Sequence, residues 1–92
     1  MGYNTFLSMK GNTTRMRIGK RIRQERIKQG LTQEELAGTK RLHRTHLTRI
    51  ENGKTNATIE ILEYIARRLR IPVWVLIAPP KWNWEKYFEI KH

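Results

Sequence analysis

The chain contains no cysteine, which removes any disulfide framework and any thiolate metal site and fits a reducing compartment. Long hydrophobic runs are also missing. The longest nearly apolar stretch, residues 71–80, is about half of what a membrane-spanning helix needs. The segment 1–17, MGYNTFLSMKGNTTRMR, has no sustained apolar core, and its charges follow the apolar residues instead of preceding them. A secretory signal is therefore not expected. Paired carboxylates in a plausible cleft, a Ser/His/Asp or Cys/His grouping and a glycine-rich phosphate loop are all absent, so the sequence gives almost no support to an enzyme. His43 and His46 stand three apart with no Cys or carboxylate near them, so neither a metal nor another cofactor is expected.

Acidic side chains are the other scarcity. Eight Asp and Glu face nineteen Lys and Arg, giving a net charge of +11 and a pI near 10.8. Such a balance implies a polyanionic partner. The excess is uneven: residues 1–30 hold eight basic side chains and one acidic, whereas residues 58–92 hold six and four. Ninety-two residues make one small domain.

Residues 1–14, rich in Gly, Asn, Thr and Ser without period, read as a flexible N-terminal arm. A helix is predicted from about Arg17, with Ile18 and Ile22 on one face and Gly30 closing it. Thr32 then offers an N-cap, and Glu35 completes a capping box for a second helix that buries Leu36 and Ala37. A third runs from about Arg44 to Asn52, with Leu47 and Ile50 inward and Gly53 as its stop. Thr58 caps a fourth, in which Ile59, Leu62, Ile65, Ala66 and Leu69 recur at helical spacing. Pro72 opens a short fifth helix, Val73 to Ile77, which Pro79-Pro80 ends. The expected fold is all-α: a five-helix bundle over residues 15–78, with an aromatic C-terminal extension over 79–92.

The segment from Thr32 to Gly53 carries the most information. Two short helices joined by a tight turn, the second basic and rich in hydrogen-bonding side chains, suit the major groove of DNA. Arg44 and Thr45 fall in the first turn of the second helix, where side chains reach base edges, and His46 and Arg49 follow on the same face. An arginine can take guanine O6 and N7 together. Arg15, Arg17, Lys20 and Arg21 read equally well as an electrostatic fringe or a solvated helix face.

The motifs IGKRIR (18–23), RIKQGLTQEELA (26–37), RIENGK (49–54) and IARRL (65–69) keep the order and spacing of a known family. Residues 17–77 resemble the Xre/Cro-type helix-turn-helix domain of phage repressors and bacterial regulators. LHRTHL (42–47) and KTNATI (54–59) look most similar to the controller proteins of restriction–modification systems. The resemblance implies that Gln33 holds a DNA phosphate and that Asn52, Lys54 and Asn56 contact the sugar–phosphate backbone, which positions a protein without reading sequence. It also implies that Arg26 and Glu51 form a buried ion pair. The chain leaves the family pattern in the turn. Lys40 and Arg41 replace the usual apolar residue and Gly, and His43 stands where Ser, Thr or Asp usually caps. We therefore expect a reshaped turn, with Arg41 and His43 added to the backbone contacts.

The reading is a regulator that binds double-stranded, pseudo-palindromic operator DNA as a homodimer, away from the membrane, in the cytoplasm at the nucleoid. Val73, Trp74 and Ile77, with Trp82, Trp84 and Phe88 of the tail, are the candidate dimer interface; Trp74 also suits ordinary core. The tail KWNWEKYFEIKH fits either a strand or a helix, and its aromatics call for packing on a partner or on the domain. The alternative function is an antitoxin whose tail masks a toxin or other protein and whose helix-turn-helix controls its own promoter.

Overall fold

A computed structural model describes residues 13–38 and 41–78. Among these, four α-helices run in the order α1 (Thr13–Lys28), α2 (Gln33–Ala37), α3 (Arg44–Glu51) and α4 (Ile59–Leu69), followed by a 3-10 helix, Val73–Leu76. No strand lies among the described residues. The first helix begins at Thr13, ahead of the predicted start at about Arg17.

The local signals behave as their chemistry requires. Thr32 accepts from the Glu35 amide at 3.0 Å while the Glu35 carboxylate accepts from the Thr32 amide at 2.8 Å, the reciprocal bonding of a capping box. Thr58 caps α4 by accepting from the Ile61 amide at 3.1 Å. Gly38 ends α2 at φ 56°, a left-handed position where glycine carries no Cβ penalty. At the end of α4 the same conformation falls on Arg70, at φ 60° and ψ 41°, at a cost of roughly 1–2 kcal/mol for an L side chain.

The expected fifth α-helix is a 3-10 turn instead. Its four residues, VWVL, follow Pro72, and Val75 donates back to Pro72 at 3.0 Å. Only six residues separate Pro72 from Pro79, too few for a stable α-helix between two residues that lack an amide donor. Side chains of α1 take the carbonyls left over. Arg17 donates to Ile77 O at 2.6 Å and Ala78 O at 2.9 Å, and Arg21 to Val75 O at 3.2 Å.

The core is one cluster. Ile22 of α1, Leu36 and Ala37 of α2, Leu47 and Ile50 of α3, and Leu62, Ile65, Ala66 and Leu69 of α4 are all buried, with Leu42 and Ile71 from the connections and Val75 and Leu76 from the 3-10 helix. Ile59, expected on the apolar face of α4, is 63% exposed because it occupies the first helical position, before that face turns inward. Gly19 lets α1 cross close to the end of α3: a Cβ there would lie 2.2 Å from Ile50 O and 2.7 Å from Glu51 O. Backbone contact of that kind fixes where the end of α3 stands.

Candidate nucleic-acid interface

Burial divides α3 cleanly. Leu47, Ile50 and Glu51 are buried, while Arg44, Thr45 and Arg49 are exposed and His46 is half-buried. With its side chains an α-helix is about 10–12 Å across, a cross-section that the B-DNA major groove, about 12 Å wide, admits. His43 occupies the N-cap position and is exposed, but its side chain makes no capping bond.

Beneath this face a polar network ties three helices together. Arg26 of α1 grips Glu51 of α3 with two N–H groups, Nε to Oε2 at 2.7 Å and Nη2 to Oε1 at 3.1 Å. The pair is largely out of solvent, with the two side chains 12% and 2% exposed. Arg26 donates also to Leu31 O at 2.9 Å. Gln33 of α2 completes the carboxylate's shell, donating to Glu51 Oε1 at 3.0 Å. On its other side the Gln33 carbonyl accepts from the Thr48 hydroxyl at 2.9 Å, which lies equally close to Arg44 O. Both ends of the Gln33 amide are thus held by α3, and its orientation is fixed.

Asn52, Lys54 and Asn56, in the loop after α3, are exposed, and Thr55 is half-buried. Arg41, at the end of the turn, is exposed and its guanidinium lies 6.0 Å from the Tyr64 ring centre. Arg68 flanks the same ring at 5.9 Å, within the range of cation–π attraction. Tyr64 donates to Ala37 O at 2.7 Å and Arg68 to Glu35 O. Two side chains of α4 therefore hold the end of α2, where the turn departs from the usual pattern. Positive φ in this region falls on Gly38, and Arg41 is not in the left-handed region; Thr39 and Lys40 lie outside the described residues.

Several site residues of the sequence reading are exposed: Arg44, Thr45 and Arg49 on α3, and Asn52, Lys54 and Asn56 in the loop that follows it. Arg26 and Glu51 sit beneath as a pair. Val73 and Trp74 are half-buried against the core and Ile77 is 40% exposed. Trp82, Trp84 and Phe88, and with them any dimer, toxin or other protein contact of the tail, lie outside the described residues. Arg17 and Arg21 are bonded to carbonyls of the C-terminal turn, so the view of them as an undifferentiated fringe changes. The sequence reading missed Thr48, Tyr64 and Arg68. Thr48 had a faint signal, a β-branched polar residue inside a helix whose hydroxyl needs a partner; the other two had none, because their acceptors are distant backbone carbonyls.

A helix-turn-helix whose second helix turns an arginine-bearing face to solvent, in a strongly basic chain, defines a DNA-binding module. Residues 22–73 match the helix-turn-helix family, more than half of the chain, and this chain belongs to that family, within its Xre-like group. The chain is similar to control protein C.BamHI of Bacillus amyloliquefaciens, 36% identical over 61 residues that cover 65% of this chain and 75% of that one. Among solved structures it is similar to the restriction-modification controller protein C.AhdI from Aeromonas hydrophila, with TM-score 0.63 and 31% identity over 66% of this chain and 92% of that one. The clp gene regulator ClgR from C. glutamicum matches with TM-score 0.64 and 27% identity, over 68% of this chain and 82% of that one. These relatives are regulatory proteins, and a DNA-binding transcription regulator is what the family supports. No helix among the described residues is long and apolar enough to cross a membrane.

Proposed function

We propose that this protein is a controller-type transcription regulator that binds pseudo-palindromic operator DNA as a homodimer, one α3 in each of two successive major grooves. The observation that carries the reading is the exposed Arg44–Thr45–Arg49 face held over the Arg26–Glu51–Gln33–Thr48 network. Arg44 reads a guanine through O6 and N7, and Thr45 and Arg49 contact neighbouring base edges or phosphate, with His46 behind them. Gln33, Arg41, His43, Asn52, Lys54 and Asn56 hold the two flanking stretches of backbone. Such contacts set register, and the base contacts set sequence.

One domain of this size reads only a few base pairs. Two copies on half-sites one helical turn apart, about 34 Å, supply the rest of the discrimination. The half-buried Trp74 and exposed Ile77 supply an apolar surface for pairing. The controller reading follows from the similarity to C.BamHI and C.AhdI.

The test is selection of bound sites from a random DNA pool, with affinity then measured against salt and the stoichiometry by sedimentation. A two-fold-related motif is expected, bound by two chains. Arg44→Ala should lower discrimination at one base pair of each half-site by about 1–3 kcal/mol. Binding that ignores sequence and shows only a steep salt slope would refute the regulator reading.

A further inference from the structure

One helix holds both of the surfaces on which the proposed assembly depends. α1 fixes the end of α3 through Arg26, which bonds Glu51 at 2.7 Å, and through Gly19, where the two backbones meet. The same helix fixes the segment after α4. Gln29 donates to Leu69 O at 2.6 Å, Arg21 to Val75 O at 3.2 Å, and Arg17 to Ile77 O at 2.6 Å and Ala78 O at 2.9 Å. The carbonyls run forward along the chain while their donors run backward along α1, so the segment lies antiparallel to the helix and is bonded to it from Leu69 to Ala78. The turn inside that segment needs such support. It is a 3-10 helix of four residues after a proline, and 3-10 hydrogen bonds are poorly aligned. Bonds from a guanidinium are charge-assisted and stronger than neutral ones. Arg17 and Arg21 are both half-buried, where water competes less for the same donors.

We propose that Arg17 and Arg21 are positioning residues that set the half-site spacing this protein accepts in an operator. The proposal rests on the homodimer reading above, in which Trp74 and Ile77 supply the pairing surface. Both residues stand within the stretch that the two arginines bond. The separation of one α3 from its copy is fixed only when each pairing turn is fixed to its own α3, and α1 makes that connection. In this role neither arginine needs to touch DNA or the second chain. A base pair added between half-sites moves them apart by about 3.4 Å and rotates one against the other by about 35°. A dimer whose turns are clamped to α1 cannot follow that change, whereas one with a loosened turn can.

The test uses the full chain and the operator obtained by selection, with its centre lengthened or shortened by one base pair, and an isolated half-site beside it. Wild-type protein should lose about tenfold or more in affinity on either altered operator. Arg17→Met should reduce that loss to about threefold or less, while binding the isolated half-site within about twofold of wild type. Arg17→Lys, which keeps the cation without the guanidinium fork, should restore part of the spacing preference. Arg21→Met removes the longer bond at Val75 O and should act in the same direction to a smaller extent; it takes the place of Arg17→Met if that variant does not fold. A variant that is merely less stable, or that has lost a phosphate contact, would weaken every operator and the half-site alike and leave the spacing ratio unchanged. That result, or an equal spacing penalty in wild type and variants, overturns the proposal. Wild-type protein that binds as a single chain, or ignores spacing, would instead refute the homodimer reading, and the role of the two arginines falls with it.

Discussion

Gly19→Ala is the sharpest test of how α3 is held. Alanine is the better helix former, and on propensity alone the change should stabilise α1 by about 1 kcal/mol. The crossing with α3 opposes it. The added methyl would meet Ile50 O at 2.2 Å, Glu51 O at 2.7 Å and Glu51 C at 2.9 Å, all backbone atoms. No side-chain rotation relieves such contacts, so the end of α3 must retreat by about 1 Å in an interior packed as densely as a crystal. Overpacking of this kind costs about 1–3 kcal/mol and sometimes more. The retreat also pulls Glu51 from Arg26, now 2.7 Å away, and from Gln33. We expect a net loss of about 1–3 kcal/mol, a fall in Tm of roughly 5–20 °C for a domain this small. Circular dichroism during urea and thermal unfolding measures it. DNA affinity should fall further than stability requires, because α3 itself is displaced. Gly30→Ala is the control: its φ is +73° and nothing lies within 4 Å of the added carbon, so only the left-handed strain of about 1 kcal/mol applies. A Gly19→Ala protein as stable as the parent would refute the close crossing.

Three further outcomes follow from the same structure. Glu51→Ala leaves the Arg26 guanidinium largely buried without its carboxylate, and urea unfolding should show a loss of roughly 3–5 kcal/mol; a loss under about 1 kcal/mol would mean the pair is effectively solvated. Thr48→Val keeps the volume but frees the Gln33 carbonyl, so operator binding should weaken several-fold while Tm moves little, and a Gln33→Ala background should erase that weakening. Arg70→Gly removes the left-handed strain at the end of α4 and should stabilise the fold by about 1 kcal/mol; unchanged or lower stability would count against the strain.

The ends of the helix-turn-helix were legible in the sequence because their signals are local. A capping box needs only Thr32 and Glu35, and a left-handed stop only a glycine. The Arg26–Glu51 pair came through the family resemblance and is formed by atoms 25 residues apart in sequence, which spacing alone does not reveal. The last helix was misread because apolar spacing was weighed without asking where its carbonyls go. In VWVLIA those oxygens are met by Arg17 and Arg21, some 54 to 61 residues earlier in the chain. The same fact explains why the basic face of α1 could not be sorted in advance. Two of its arginines are structural donors, and only the folded chain shows which.

The turn that departs from the family pattern is best understood through α4. The sequence places a His at the N-cap of α3 and cations beside it, none of which orders a turn locally. The structure supplies contacts on either side of it: Tyr64 donates to Ala37 O, Arg68 donates to Glu35 O, and the guanidinium groups of Arg68 and Arg41 lie 5.9 and 6.0 Å from the Tyr64 ring centre. The segment leading into α3 is thus anchored through α4, at the end of α2 and at Arg41, and the end of α3 through α1 by Gly19 and Arg26. Because these anchors share no residue, their perturbations should add rather than compound. A helix held at its end by α1, and entered through a segment held by α4, needs less from its own N-cap, which makes no side-chain bond; the bidentate base contact proposed for Arg44 requires such a fixed backbone.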